Sequence, residues 1–345
     1  MQVLSLALLT AYNTVCAHMR TWHYWPWAIA VAIRRLFDRP ARSCETVLDS
    51  FFAKKEHASL DAIHFLYTGA SDAILLQSQG KFALVDCAED THYPAQKPHL
   101  ALPGWEDYVV DYVKRVAGGK LEFILATHTH SDHIGGFDSL IHDPDISIAR
   151  AYVKRYDNTN MHPYERDYWD NQACYTQLLE ACAARNVPVI QDDFSAAPFA
   201  LGKLQCSIIN GEQRWRRDEN ANSLGLLVQC HGQRALLTGD INNIYGDEQR
   251  MAAQIGRVNL LQAAHHGYDG STTLPWLLHL RPQTIVFTND MRRVYPTLKL
   301  RAKVCANSRF IATGQHGGVV AQFNEEGITF HAIGETTQPK PAQEY

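Results

Sequence analysis

The stretch His128-Thr129-His130-Ser131-Asp132-His133 limits what this chain can fold into more than any other. It follows directly on the apolar run Phe123-Ile124-Leu125-Ala126, which reads as a buried strand, so the cluster sits where a strand leaves the core for a loop. His128 and His130 are two apart and can point the same way, toward one metal ion. Asp132 and His133 come where the chain must turn, before Gly135-Gly136, and can face a second ion beside the first. A solvated, histidine-rich loop is the plainer alternative. With 17 histidines in 345 residues, a chance match to all four positions is expected about once in several hundred such sequences.

Two later segments turn the cluster into a constellation. Leu236-Leu237-Thr238-Gly239-Asp240 is an apolar strand ending in Gly-Asp, and a carboxylate there can bridge two metals because each oxygen takes one ion. Leu260 to Ala264 is again a strand, running into His265-His266-Gly267. Adjacent histidines point in different directions, so one of this pair can bind metal while the other contacts substrate. Three strand ends that all deliver ligand types form a specific signal; any one of them alone is common loop chemistry.

The apolar fraction of 46% and charged fraction of 20% are those of a soluble globular chain. A net charge of −4 leaves no global basic footprint for nucleic acid, which weighs against a nuclease. The cysteines (Cys16, Cys44, Cys87, Cys174, Cys182, Cys206, Cys230 and Cys305) form no C-x-x-C pair, so they read as reduced, mostly buried thiols, and any metal is left to His and Asp.

Residues 1–58 differ from the rest and read as an N-terminal extension. Val3 to Ala17 is moderately apolar, with no Lys or Arg before it, although Val15-Cys16-Ala17 loosely resembles a signal cleavage site. Trp25 to Ile33 is too short to span a bilayer, yet its tryptophans and the flanking Arg34-Arg35 suit a membrane-surface helix. A helix packed on the main domain, or a poorly ordered extension, is the preferred account. Location stays open, with the cytoplasm favoured over export or a membrane surface; the oligomeric state is also open. A domain over 59–335 follows, then a tail over 336–345 that carries Pro339 and Pro341 and reads as disordered.

Within the domain, strands are expected over 63–67, 73–77 and 82–86, a helix over 104–116, then the strand that carries the histidines. A helix over 137–141, a strand over 151–153, one longer helix over 164–185 and a strand over 187–190 complete this half. The second half reads as strands over 204–209, 224–229, 234–237 and 259–263, with a helix over 247–255 among them. A helix over 274–280 and strands over 284–288, 309–312, 319–323 and 329–332 follow. Strands grouped and separated by helices in both halves predict an α+β sandwich.

The order of HTHSDHIGG, LLTGD and HHG resembles the metallo-β-lactamase-fold hydrolases, and the opening IHFLYTGASDAILLQSQGKFALVDCAED resembles the way that fold begins. Within that superfamily the HHG form is similar to the soluble domain of bacterial DNA-uptake (competence) channel proteins. A closer likeness is to the catalytic module of the teichoic-acid phosphorylcholine esterases of Gram-positive bacteria. It rests on THTHSDHIG, YVKRYDN, YWDN, NANSL and IGRVNLLQAAHH, and it spans roughly residues 60–333. The resemblance implies an αββα sandwich of two mixed β-sheets flanked by helices. It also implies a binuclear centre in which His128 and His130 hold one zinc, Asp132 and His133 the second, and Asp240 bridges them. His265 or His266 would complete the second site, and the motif does not choose between them. Many superfamily members add a further histidine to the first metal. The nearest candidate is His162, for which a solvated loop histidine is the commoner role.

Asp86 matches the aspartate that ends an early strand of the fold, where it would orient a ligand histidine; Cys87 beside it reads as packing. Tyr156, Tyr168 and Trp169 could wall a quaternary ammonium group, although aromatic residues at helix starts more often belong to the core. His231 and His316 read as ordinary loop histidines. The implied activity is a two-zinc hydrolase, first of all a phosphodiesterase of the phosphorylcholine-esterase type that uses a metal-bridging hydroxide. Asp132 or Asp240 would orient the nucleophile, and the non-ligand member of His265/His266 would bond the phosphoryl group. Manganese or iron suits the same ligands. Lactone or β-lactam hydrolysis, or a non-catalytic metal-binding module, are the alternatives, since the metal motif does not separate substrates. The substrate would be a small-molecule, glycan-linked or lipid-linked phosphodiester. Nucleic acid is unlikely, and residues 1–35 are free to touch a membrane.

Overall fold

A computed structural model describes residues 48–53, 60–192, 194, 198–306, 308–335 and 339–344. The signal-like and membrane-surface stretches expected within residues 1–35 lie outside the described residues. Among the described residues no helix is long and apolar enough to cross a membrane.

The first apolar runs fold into an antiparallel meander, Ala62–Phe65, Ala73–Ser78 and Lys81–Cys87, buried at every position but Lys81. Phe123–Leu125, Ala151–Tyr152 and Val189–Ile190 then add in parallel on one side. The late hairpin Val319–Asn324 and Gly327–Ala332 closes the other side. A second sheet follows the same plan. Phe199–Leu201, Leu204–Ile209, Gly225–Cys230 and Gln233–Leu237 pair antiparallel, and Leu260–Gln262, Thr284–Phe287 and Arg309–Ala312 continue in parallel.

Both sheets are covered on both faces, which is why so many strands read as unbroken apolar runs rather than alternations. Between the sheets, Ile63, Phe65, Val85 and Leu125 meet Leu204, Leu226, Leu237 and Leu260. The outer face of the first sheet packs on helices Glu106–Ala117, Phe137–His142 and Asn171–Ala184. The outer face of the second packs on Asp247–Ile255, Leu274–Leu280 and Pro296–Ala306. The result is the four-layer αββα sandwich of mixed sheets expected from the sequence.

Four local expectations change. The single helix over 164–185 is two, Pro163–Tyr168 and Asn171–Ala184, because Trp169 is extended (φ −89°, ψ 164°) and Asp170 starts a new helix. Pro296–Ala306 was not foreseen: Leu298, Ala302 and Cys305 are buried, but Leu300 among them is 63% exposed and blurs the pattern. Its opening proline was the available signal. The domain also reaches back before residue 59, since Phe51 is buried against His64 (centroids 5.1 Å apart) and Ala332 N donates to Asp49 O at 2.9 Å. Finally, the tail expected to be disordered is paired at its described residues. Lys340 and Gly104 exchange backbone bonds of 3.0 and 3.1 Å, Gln343 N donates to Thr91 O at 2.7 Å, and the Lys340 ammonium meets Asp107. The prolines that suggested disorder, Pro339 and Pro341, flank Lys340 and occupy neither donor position, so they remove no needed N–H.

The parallel strands of the two sheets end at a common rim. The loops that leave them after Leu125, Leu237 and Gln262 carry the histidines, Asp132 and Asp240.

Candidate metal centre

The rim is held in shape by buried side chains one step behind the histidines. Asp86, itself at φ +56°, accepts Thr127 N at 2.8 Å, Thr127 Oγ1 at 2.7 Å and His133 Nδ1 at 2.8 Å. It thereby fixes both ends of the loop that carries His128 to His133, and burial pushes its carboxyl up to about 6 against the pull of His133. Glu219 accepts Thr129 N at 3.1 Å and Thr129 Oγ1 at 3.0 Å, bracing the residue between the first two histidines. Gly239 explains the Gly-Asp motif: it stands at φ +48°, and a Cβ on it would lie 2.8 Å from Thr127.

The hydrogen-bond partners fix the imidazole tautomers. His133 Nδ1 faces Asp86, and His266 Nδ1 lies 3.3 Å from Asp72 Oδ1 and 3.2 Å from Thr288 Oγ1. In each ring the proton belongs on that nitrogen, so the two Nε2 atoms, 3.1 Å apart, turn lone pairs toward each other. The same happens next door. His130 Nε2 donates to Glu165 Oε1 at 3.1 Å, and His128 Nδ1 lies 3.1 Å from Thr127 Oγ1, a hydroxyl whose own hydrogen goes to Asp86. His128 Nε2 and His130 Nδ1 are left facing at 3.0 Å.

Asp240 stands between the two pairs. Its Oδ1 is 3.2 Å from His133 Nε2 and 3.6 Å from His266 Nε2; its Oδ2 is 4.0 Å from His128 Nε2 and 3.8 Å from His265 Nε2. Oδ1 is buried and accepts no hydrogen bond. Asp132 closes the second group, with Oδ2 3.3 Å from His266 Nε2 and Oδ1 3.9 Å from His133 Nε2. Facing lone pairs beside a buried, unbonded carboxylate oxygen repel unless a cation or a proton sits among them. The donor set therefore fits metal ions. Asp72 belongs to the same cluster of ligand-type residues, but its oxygens face Nδ1 atoms, so it holds the rings rather than the space between them.

Without metal, protons answer the same demand. Burial alone would keep His133 and His266 neutral, yet Asp240, backed by Asp132 and Asp86 for one ring and by Asp72 for the other, outweighs it. Both imidazoles sit well above the ordinary range. His130 is treated likewise: burial opposes, the Glu165 bond prevails, and the ring rises to about 9. His128, buried among the other imidazoles, goes the opposite way, well below the ordinary range.

The six positions read from the three motifs, His128, His130, Asp132, His133, Asp240 and the His265/His266 pair counted once, thus come together. The pair itself is split. His266 is 1% exposed with Nε2 in the second group, while His265 lines the cavity, and both stand in left-handed backbone (φ +50° and +55°) that turns the neighbouring rings apart. His162 is exposed and caps the helix Pro163–Tyr168 by accepting Tyr164 N at 3.2 Å. Tyr156 is buried against Tyr175, and Tyr168 stacks on Tyr164 and His99, so of the three proposed wall aromatics Trp169 lines the cavity, its ring 5.6 Å from His130. Cys87 packs in the core as expected, and His316 closes the short helix Thr313–His316. His231 is not an ordinary loop histidine: its Nε2 lies 2.8 Å from Asp61.

Sequence reasoning missed Asp72, Glu165 and Glu219. Each is an unremarkable acid in its own segment, and only the partner reveals it. It also missed most of the cavity wall, a space of about 780 Å³ in which Tyr67, Trp105, Tyr164, Trp169 and Tyr268 face Glu89, Glu165 and Asp218 across the histidines.

Comparison with known proteins gives a match to the family described as Metallo-beta-lactamase superfamily over residues 66–273. The chain is similar to ComE operon protein 3 of Bacillus subtilis (strain 168), 21% identical over 299 residues that make up 83% of this chain and 36% of that protein. It is also similar to Recombination protein 2 of Haemophilus influenzae (strain ATCC 51907 / DSM 11121 / KW20 / Rd), 25% identical over 182 residues, 52% of this chain and 19% of that one. The chain thus spans about a third and a fifth of the length of these relatives. Among solved structures, the metallo-beta-lactamase fold protein YhfI from Bacillus subtilis aligns over 76% of this chain and 100% of its own, at 13% identity and a TM-score of 0.48.

Proposed function

The chain belongs to the metallo-beta-lactamase superfamily, and on that premise we propose that it is a two-zinc hydrolase of phosphodiesters, of the phosphorylcholine-ester type. The observation that carries the reading is the double set of facing imidazole nitrogens around the unbonded Asp240 Oδ1. We assign His128, His130 and Asp240 to one ion, and Asp132, His133, His266 and Asp240 to the other. Bound zinc supplies an activated water and neutralises charge on phosphoryl oxygens, and manganese or iron suits these donors as well.

The remaining groups belong to the chain. His265, outside both ligand sets, is kept neutral by burial despite Asp240 and is free to donate a hydrogen bond to a phosphoryl oxygen. Asp132 and Asp240, whose carboxylates stand among the facing Nε2 atoms, orient the attacking water. Aromatic faces and carboxylates together line the cavity. That lining supports a quaternary ammonium group carried on the phosphoryl side of the ester, drawn to the ring faces and to negative charge, and it opposes a polyanion such as nucleic acid. The substrate on this reading is a small molecule, glycan or lipid carrying such an ester. The proposal places the protein in the cytoplasm, and cell fractionation of the full chain tests contact with a membrane through residues 1–35.

Hydrolysis of para-nitrophenyl phosphorylcholine and of a simple bis-aryl phosphodiester by the purified protein tests the proposal. Activity should vanish on chelation and return with zinc, and the choline ester should show the lower KM. Zinc-loaded protein inert on both esters would end the phosphodiesterase reading and turn attention to lactones and β-lactams.

A further inference from the structure

A separate group of ligand-type side chains lies at the far end of the sandwich. Asp61, Cys230 and His231 each offer one atom within 4.8 Å of the others. Asp61 precedes Ala62–Phe65 of the first sheet; Cys230 ends Gly225–Cys230 of the second, and His231 opens the turn into Gln233–Leu237. The strand Gly225–Cys230 starts beside the His128 loop, where Leu224 N donates to Thr127 O at 2.7 Å. Its length puts the two groups about 20 Å apart.

This is more than a surface ion pair. Asp61 is 6% exposed, and Ser78 Oγ holds its Oδ1 at 2.6 Å, which turns Oδ2 toward His231 Nε2 at 2.8 Å. The Cys230 thiol is buried alongside. His231-Gly232 is the whole connection between the paired Cys230 and Gln233, with φ +49° and +72°. A turn of that kind favours Asn, Asp or Gly at its first position. The imidazole is therefore kept where the backbone disfavours it, aimed at a buried carboxylate.

We propose that Asp61, Cys230 and His231 form a second, independent binding site for a thiophilic divalent cation of the zinc class, with water as the fourth ligand. Thiolate, imidazole and carboxylate together are a donor set for tetrahedral zinc, and thiolate plus carboxylate cancel its charge. Ligand atoms around such an ion stand about 3.5 Å apart, so the group closes by on the order of 1 Å. On binding, the Cys230 thiol proton leaves to solvent and Nε2 exchanges its contact with Asp61 for the metal. Lys203, 3.7 Å from Asp61 with half its side chain exposed, swings outward. The partly exposed His231 gives the path of entry. Because the thiol proton must leave on binding, uptake is pH-dependent. The bound ion would pin one strand end of each sheet to the other.

Cobalt titration of the metal-free protein tests this independently of any activity. The His/Asp centre contains no sulfur donor, so a near-ultraviolet thiolate-to-cobalt band belongs to the far site. At saturation the band should have the amplitude of one thiolate–cobalt bond per chain and be lost in Cys230→Ser and in His231→Asn, with cobalt content falling by one per chain in each. Asparagine is a favoured residue for the turn, so the second variant keeps the hairpin. Cobalt uptake without the band, or a band that survives Cys230→Ser, overturns the proposal.

Discussion

At one end of the sandwich the loops after Leu125, Leu237 and Gln262 crowd five histidines and two aspartates together, with Asp72 and Asp86 behind them; at the other, Asp61 stands with Ser78, His231 and Lys203 at the ends of tight turns. The same strands run to both ends. The difference follows from how they are connected. Antiparallel neighbours such as Gly225–Cys230 and Gln233–Leu237 close in two residues and leave room for little besides the turn itself. Parallel neighbours need a long crossover, so their ends open into loops free to carry side chains inward. Crowding is the second difference. Asp61 is answered by a hydroxyl and an imidazole, whereas Asp240 Oδ1 is answered by nothing the chain supplies.

The largest test of that contrast is Asp240→Asn. On the proposed function a metal pair would supply several kcal/mol of transition-state stabilisation, so loss of the carboxylate proposed to bridge it should cut turnover of a phosphodiester by about 10³-fold or more. Metal content should fall with it while circular dichroism stays native. Retained metal and turnover would erase the distinction between the ends. Next come the acids behind the ligands: Asp72→Asn or Glu165→Gln should weaken metal affinity by about 10–100-fold in a chelator competition, because each ring loses the partner that fixes its tautomer. At the far end, Asp61→Ala in the metal-free protein leaves a buried serine and histidine without their acceptor. With Ser78 fully buried and His231 partly exposed, it should cost about 1–2 kcal/mol in urea unfolding, with the affinity of the His/Asp centre untouched; a change there would mean the ends are coupled.

The smallest effect concerns pH. Lys154, just past Ala151–Tyr152 on the crowded end, is buried with Nζ on Asn222 O at 2.8 Å, and burial lowers it to about 8. A base depressed in the folded state binds fewer protons there than in the unfolded chain, so its contribution to stability rises with pH from about 8 toward its ordinary value. Between pH 8 and 9 the native protein should gain about 1 kcal/mol relative to Lys154→Met. Equal slopes would show that the lysine is solvated.

What could be read from the sequence follows the same division. The ligand loops were legible because each strand end spells its donors as neighbouring letters, and the sheets because doubly covered strands are continuous apolar runs. Asp72 and Glu165 were not, since their partners lie far along the chain, 35 positions away for Glu165 and His130. Trp169 was legible as a residue but not as a place: only the break before Asn171 turns its ring to the cavity. The placement of His266 in the second group, with His265 outside it, needed the backbone, because the motif treats the two alike.

Gln262 Nε2 donates to Asp72 Oδ2 across 190 residues of chain, and Asp132 and His133 from the first sheet meet Asp240 and His266 from the second. Neither half can hold a full ligand set before the sheets dock. Docking over such separations is a slow, late event in folding. If the proposed site takes metal, capture would follow docking, and refolding followed by metal-dependent and fluorescence signals in parallel should show the metal signal lagging.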